Sequence, residues 1–405
     1  MRINSERLLK DLTELGQIGY RENHGVTRLA LTDDDLRARA WLKERMEDAG
    51  LTVRLDPCAN QIGSLPCQDS DQPVLILGSH RDTVPEGGPY DGALGVLGGL
   101  ECARTLQEEG VTLPWDLEII NFTDEEGHRY AGTLGSRAMM GLLAPAEIWK
   151  SRREDVEPIG NRLSALGLDP DRIETAQRSP DAIRGYLELH IEQGSVLESR
   201  PADVGVVTGI VGIYRYVIEV LGRANHAGTT PMAQRADALV AAAPAFHLLP
   251  EWARARSENM VATIGQIEVA PGGINIIPGL CRFSVELRSL CSRDMEGVRD
   301  RLTDWLDENV PARFETVFEK DGVTLDSNLR EILHQSAVDY GLLAHSMPSG
   351  AGHDAQSFAP YVSTGMLFVP SQEGISHSPQ EYSEPRWLIN GVQTLLGTVL
   401  RLAAE

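Results

Sequence analysis

The chain has 405 residues, 42% hydrophobic and 24% charged, enough for a sizeable core and long enough for two domains. Lysine and arginine number 37 against 59 aspartates and glutamates, a formal charge of −22. That balance repels phosphate backbones and anionic bilayers, so neither nucleic acid nor a membrane is expected as a partner.

The N-terminal stretch "MRINSERLLKDLTELG" lacks the apolar core of a signal peptide and reads as an amphipathic helix. "TDDDLRARAWLKERMEDAG" predicts a second helix, with Thr32 as its cap, acids in its first turn and Gly50 as its stop. "PVLILGSH" is a short apolar run, as expected of a strand buried on both faces. "GALGVLGGLECARTLQEEG" predicts a glycine-rich helix, and "LEIINFTDEEG" a second buried strand. Around residues 150–182 the chain turns polar and proline-bearing, and "RGYLELHIEQG" then returns to strand character. Strands alternating with helices imply an α/β fold with a mostly parallel sheet flanked by helices.

From about residue 209 the pattern changes. "YRYVIEVLG", "VATIGQIEVA" and "RFSVELRS" alternate as half-buried strands, separated by helical stretches in "RADALVAAAPAFHLL" and "RDMEGVRDRLTDWLDENV". The α/β pattern resumes through "SNLREILHQSAVDYG" and "GMLFVPSQEG". The expected architecture is therefore a catalytic domain, residues 1–208 and 328–405, interrupted at 209–327 by a smaller α+β sandwich. No segment is apolar for long enough to span a membrane. Five scattered cysteines without a CxxC pair point to reduced thiols and a cytoplasmic setting.

The chemistry concentrates at strand ends. "LILGSHRD" delivers His80 and Asp82, "GGPYDGALGV" delivers Asp91 before a helix, and "NFTDEEG" delivers Glu125 and Glu126. His190 and His377 follow similar runs. Taken singly, each is more simply a loop histidine, a turn aspartate or a solvated acid. Taken together they converge, because open parallel sheets gather ligands outside the carboxyl ends of their strands. Three imidazoles and two carboxylates suit zinc, manganese, cobalt or nickel, and not calcium. Five protein ligands exceed what one open catalytic zinc takes, so the set suits two divalent ions bridged by Asp91.

The segments "GSHRDTVPEGGPYDGALGV", "DEEG", "ELHIEQGSVLE", "NHAGTTPM", "INIIPG", "VELRS", "SGAGHDAQ" and "GISHSPQEY", in order from about residue 78 to 384, resemble the M20-type metallo-amidohydrolases. The resemblance is to the hydantoinase/carbamoylase branch, which includes N-carbamoyl-L-amino acid, allantoate, ureidoglycolate and β-ureidopropionate amidohydrolases. Peptidase relatives typically carry an acid where this chain has His190.

The resemblance implies a ferredoxin-like dimerisation and lid domain in the insert. It implies His80, Asp91, Glu126, His190 and His377 as metal ligands, Asp82 as the residue orienting His80, and Glu125 as the general base. It places substrate contacts at His226, Asn275 and Arg288, and further ones at Gln193 and Gly352. Arg288 is expected to hold the carboxylate of a small ureido substrate. His226 is expected to stabilise the oxyanion, reaching across from the other subunit of a homodimer with shared active sites. The expected reaction is hydrolysis of the carbamoyl C–N bond of an N-carbamoyl-L-amino acid, with allantoate, ureidoglycolate or β-ureidopropionate as alternative substrates. An M20 peptidase or aminoacylase is the more distant reading. The loop "GHRYAGTLGSRAMMG" departs from relatives that often have Ser-Arg-Phe after its first glycine, which bears on substrate preference.

Overall fold

The computed structural model describes residues 1–67, 72–151 and 155–404. The chain divides into two compact units. One comprises Met1–Thr208, Leu325–Ser349 and His353–Glu405; the other comprises Gly209–Thr324 with Gly350–Gly352.

The larger unit is built, in chain order, from α1 (Ser5–Gln17), α2 (Asp33–Asp48), β1 (Thr52–Leu55), β2 (Gln61–Leu65), β3 (Val74–His80), α3 (Ala93–Glu108), β4 (Leu117–Phe122), β5 (Ile183–Ile191), β6 (Val204–Ile210), α4 (Ser327–Asp339), β7 (Ala344–Ser349), β8 (Thr364–Val369) and α5 (Pro385–Leu402). The strands form one sheet in the order β6-β8-β5-β3-β4-β2-β1, with β7 adding to β6. The centre β8-β5-β3-β4 is parallel, and β6, β2 and β1 run antiparallel to their neighbours.

Alternation along each strand decides what faces what. In β5, Leu187, Leu189 and Ile191 join the core under the helices, with Leu75 and Leu77 of β3 and Leu367 and Val369 of β8. Tyr186, Glu188 and His190 therefore project to the other face, where Tyr186 stacks on Phe358 at 4.2 Å. The first helix presents Leu8, Leu12 and Leu15 to the core, and Asn4 caps it by accepting from the Arg7 amide.

One local expectation changes. Thr32 stands at the N-cap of α2, but its hydroxyl donates to the Leu29 carbonyl and caps nothing. The buried acid of that first turn is instead Asp35, which accepts from the Leu31 amide, Arg39 and Arg81. The polar, proline-bearing stretch is also more ordered than its composition suggests. It forms short helical turns at Ile159–Ala165 and Pro170–Ala176, whose Ile159, Leu163 and Ile173 pack with Leu31, Cys58 and Leu134 in a separate small core. Widely spaced apolar residues sufficed, because each turn buries only a few.

The smaller unit follows a strand–helix–strand–strand–helix–strand order, the ferredoxin-like pattern. Its strands Gly212–Leu221, Leu280–Ser289 and Ala312–Lys320 pair antiparallel, with Gly212–Leu221 in the middle. "VATIGQIEVA" is two short strands, Val261–Thr263 and Ile267–Ala270, which pair with different parts of Leu280–Ser289. The strand Ala312–Lys320 was not anticipated; most of it is exposed, so it carries little alternation. Helices Ala238–Arg256 and Ser292–Asn309 cover one face, over Tyr216, Ile218, Phe283, Val285 and Leu287. Among the described residues, no helix is long and apolar enough to cross a membrane.

Candidate metal centre

The parallel strands β3, β4, β5 and β8 all end on one edge, and each end carries part of the site. His80 is the last residue of β3, and His190 the penultimate residue of β5. Glu125 and Glu126 follow β4, and His377 lies in the loop after β8. Asp91 precedes α3, where Gly92 holds a φ of +62° and a Cβ would strike the His80 ring at 2.5 Å. Only glycine permits the helix to start this close to the imidazole.

Asp91 is the hub. Its Oδ1 lies 3.4 Å from His80 Nε2 and 3.2 Å from His190 Nε2. Its Oδ2 lies 3.4 Å from His377 Nε2, which is 3.5 Å from Glu126 Oε2. A tetrahedral ion with ligand bonds of 2.0–2.1 Å sets its ligand atoms about 3.3–3.4 Å apart. The spacings therefore fit a divalent ion on each side of the Asp91 carboxylate. Glu126 Oε1 supports that fit: it is buried without a hydrogen-bond partner, which is costly for a carboxylate oxygen unless a cation takes it. The donor set, imidazole and carboxylate, suits the same ions.

The candidate ligands are held from behind. His80 Nδ1 lies 3.0 Å from the Asp82 carbonyl, and His190 Nδ1 lies 2.9 Å from the Ile191 carbonyl, so each Nε2 faces Asp91. The Asp82 carboxylate does less for His80 than expected, since it stands 3.9 Å from Nδ1. Instead it accepts from the Glu125 and Glu126 amides at 3.4 and 3.3 Å. It thus fixes the turn that presents both glutamates. That turn begins at Asp124, with a φ of +56°, whose carboxylate accepts from the Gly132 amide. The three consecutive acids therefore divide their work: one shapes the turn and two enter the cleft.

Charge is concentrated here among buried groups. Burial and the neighbouring charge of Asp35 raise Asp82 to about 7. Burial, then Asp354 and Glu126, push Glu125 well above the usual carboxylate range. Glu126 is pushed up by burial and by Asp91. Burial would raise Asp91 too, but the His190 and His377 imidazoles override it and hold it well below that range. Burial lowers His80 to about 4. His190 goes the other way, to about 9, because Asp91 outweighs burial. Cations at the hub would relieve this crowding, lowering the glutamates and displacing protons from the imidazoles. Glu125 Oε2 lies 3.6 Å from His80 Nε2, so its carboxylate is beside the ligand cluster.

Gln193, expected to touch substrate, stands beside the hub: it donates from Nε2 to Asp91 Oδ2 at 2.6 Å and lies 3.3 Å from His377 Nε2. Other polar groups at the cleft were not picked out from sequence. Glu188 accepts from Ser79, Tyr186 and the Ala355 amide beneath the site. His353 packs its ring 4.6 Å from that of His190. Ser376 and Glu381 adjoin Asp91. All lie in or beside the motif segments, but a lone acid or serine there carries no signature of its own.

The remaining candidates lie in the smaller unit and do not gather within it. Exposed His226 sits in a short pairing of Asn225–His226 with Ile276–Ile277, beside Asn275, whose carbonyl accepts from the Ala227 amide. This pairing lies at the Leu221–Leu280 end of the sheet, whereas Arg288 pairs with Ile213 at the other end. Eight residues of strand, from 280 to 288, amount to about 26 Å. Arg288 stands on the face away from the helices. It donates from Nε to Glu286 and from Nη1 to the Gly350 carbonyl, both at 2.8 Å, two residues from Gly352.

Comparison with known proteins identifies the family of the chain. The model of Peptidase family M20/M25/M40 matches residues 76–401. An N-carbamoyl-L-amino acid amidohydrolase of Geobacillus stearothermophilus is 40% identical, with 99% of each chain covered. An allantoate amidohydrolase of Bacillus subtilis is 34% identical, covering 96% of this chain and 95% of its own. A crystal structure of an amidase of the hydantoinase/carbamoylase family from Burkholderia multivorans superposes with a TM-score of 0.89 at 32% identity, covering 100% of this chain and 99% of its own. The chain is a hydrolase of the M20/M25/M40 family and belongs to its amidohydrolase branch.

Proposed function

We propose that the enzyme hydrolyses the carbamoyl C–N bond of N-carbamoyl-L-amino acids at a pair of divalent ions, zinc or one of manganese, cobalt and nickel. The observation that carries this reading is the Asp91 carboxylate, with one oxygen facing His80 and His190 and the other facing His377, itself beside Glu126. The full-length similarity to an N-carbamoyl-L-amino acid amidohydrolase supports the substrate class. The similarity to an allantoate amidohydrolase keeps allantoate as the alternative, since both substrates present a ureido group and a carboxylate.

Bound ions would supply Lewis acidity and ease the deprotonation of a water. The chain supplies the rest. Glu125 takes the proton of the attacking water and delivers it to the leaving nitrogen. Attack at the ureido carbon breaks its bond to the amino acid nitrogen, and the carbamate so formed decomposes to carbon dioxide and ammonia. Asp82 keeps Glu125 in reach by holding its backbone. Arg288, with Nε and one Nη1 hydrogen engaged, keeps its outer edge for the substrate carboxylate.

His226 lies in a separate two-stranded pairing beyond the Leu221–Leu280 end of the strand pair, and Arg288 lies about 26 Å of strand away at its other end, so one small molecule is not expected to meet both from a single subunit. This supports a homodimer in which His226 of one subunit stabilises the oxyanion in the site of the other. Ammonia release from a panel of N-carbamoyl-L-amino acids, allantoate, ureidoglycolate and dipeptides tests the reading, with chelator-treated enzyme as control. Release from the carbamoyl compounds that chelator abolishes and added metal restores is the expected result. Cleavage of dipeptides alone would overturn it.

A further inference from the structure

Glu381 has no place in the reaction described above, yet it is buried at 4% exposure against the hub of the site. Its Oε1 accepts from two successive amides, Tyr90 at 2.9 Å and Asp91 at 3.1 Å. Its Oε2 lies 3.0 Å from the Ser376 hydroxyl, and that hydroxyl lies 2.9 Å from Asp91 Oδ2. One carboxylate thus holds the backbone of the shared ligand and shares the single hydrogen of Ser376 with the Asp91 oxygen that faces His377. The approach is built in: at Gly88 a Cβ would come within 2.1 Å of the Glu381 carboxyl carbon, so any larger residue there would expel it.

The need for such a grip is uneven. His80 and His190 are fixed by strand ends and backbone carbonyls. His377 sits in a loop, with a φ of +54° and a side chain 47% exposed. The loop is closed at its neck by Gln372 to Tyr382 and by Ser383 to Pro370. Inside it, Ser376 and Glu381 provide its bonds to the Asp91 segment among those described.

We propose that Glu381 is a positioning residue, which locks Asp91 Oδ2 against His377 and thereby forms the half of the centre made by Asp91, Glu126 and His377. The proposal rests on the two-ion reading. It predicts that loss of Glu381 weakens one ion and spares the other.

The test is calorimetric titration of chelator-stripped protein with Zn²⁺, and again with Mn²⁺. Wild type is expected to take up two equivalents. Glu381→Ala is expected to keep one at wild-type affinity and to bind the second about 10- to 100-fold more weakly. Glu381→Asp keeps the charge but shortens the reach, and is expected to lose the second ion likewise; it also guards against an alanine variant that misfolds. Glu381→Gln is expected to restore binding of both, because its Oε1 still accepts both amides while its amide donates to Ser376, leaving the serine hydrogen for Asp91. Equal affinities for both ions in Glu381→Ala and Glu381→Asp would overturn the assignment while leaving the two-ion reading intact, as would a Glu381→Gln that falls as far as alanine. A wild-type protein that binds one ion or none would overturn both.

Discussion

The two units hold their candidate residues in opposite ways. In the larger unit His80, Asp91 and His190 are buried, and backbone groups fix the two imidazoles. In the smaller unit His226 and Asn275 are exposed, and Arg288 rests on Glu286 along an open sheet face. A metal centre requires ligand atoms set to within a few tenths of an ångström before the ion arrives, and strand ends in a packed sheet provide that. In the proposed reading the substrate carboxylate would be met by Arg288, a long side chain on a solvated face whose partners can be exchanged when a ligand binds. The difference separates chemistry from recognition: the buried half should set whether a bond is cut, and the open half which molecule is brought to it.

The sharpest way to break this division is Glu125→Gln. It keeps shape and removes the base, so the rate should fall about 100- to 10,000-fold with metal content unchanged, read by turnover and by metal analysis of the same sample. Loss of metal instead would mean that Glu125, and not Glu126, is the ligand. On the recognition side, Arg288→Ala should lower kcat/KM about 30- to several-thousand-fold, the range of about 2–5 kcal/mol for stripping one partner from a charge pair that the bound substrate would desolvate. An amide analogue of the substrate provides the control. Wild type should discriminate strongly against it and Arg288→Ala hardly at all; equal discrimination would return Arg288 to its surface pairing with Glu286.

Proton competition is a smaller effect with a definite sign. His190 is raised to about 9 and His377 is also raised, in each case with Asp91 alongside, and an ion requires both imidazoles neutral. Metal affinity should therefore weaken as pH falls from 8 to 6, by about tenfold per unit for each proton displaced. An affinity flat across that range, by competition with a coloured chelator, would contradict the assignment of the histidines. The smallest change tests whether the open half works in trans. Inactive Glu125→Gln mixed one to one with inactive His226→Ala should recover about one quarter of wild-type activity, since half the dimers are mixed and one of their two sites is intact. No recovery, with subunit exchange shown by a tag, would confine each site to one subunit.

Much of the candidate site was legible because the candidate metal ligands fall at strand ends, and strand ends are marked by apolar runs that stop. "LILGSH" and "NFTDEEG" carry both signals in a few residues. Glu381 carries neither: it is one acid in a polar loop, 290 residues from the Asp91 amide it grips. Asp82 shows a finer limit. Its place beside His80 was readable, but its carboxylate turns to the Glu125 and Glu126 amides, a choice made by the turn at Asp124. The strand Ala312–Lys320 escaped notice because its side chains are mostly exposed, and period-two patterning needs a buried face to appear.

By itself, then, the order of residues determined the alternation of strands and helices and the residue types gathered at the parallel edge, since both follow from local periodicity and from where apolar runs end. Only tertiary structure decided which oxygen of Asp91 faces which imidazole, what holds Asp91 in place, and that the short pairing carrying His226 lies at the Leu221–Leu280 end of the strand pair whose other end carries Arg288. Those are contacts between segments far apart in the chain, fixed by packing and register, and no local pattern encodes them.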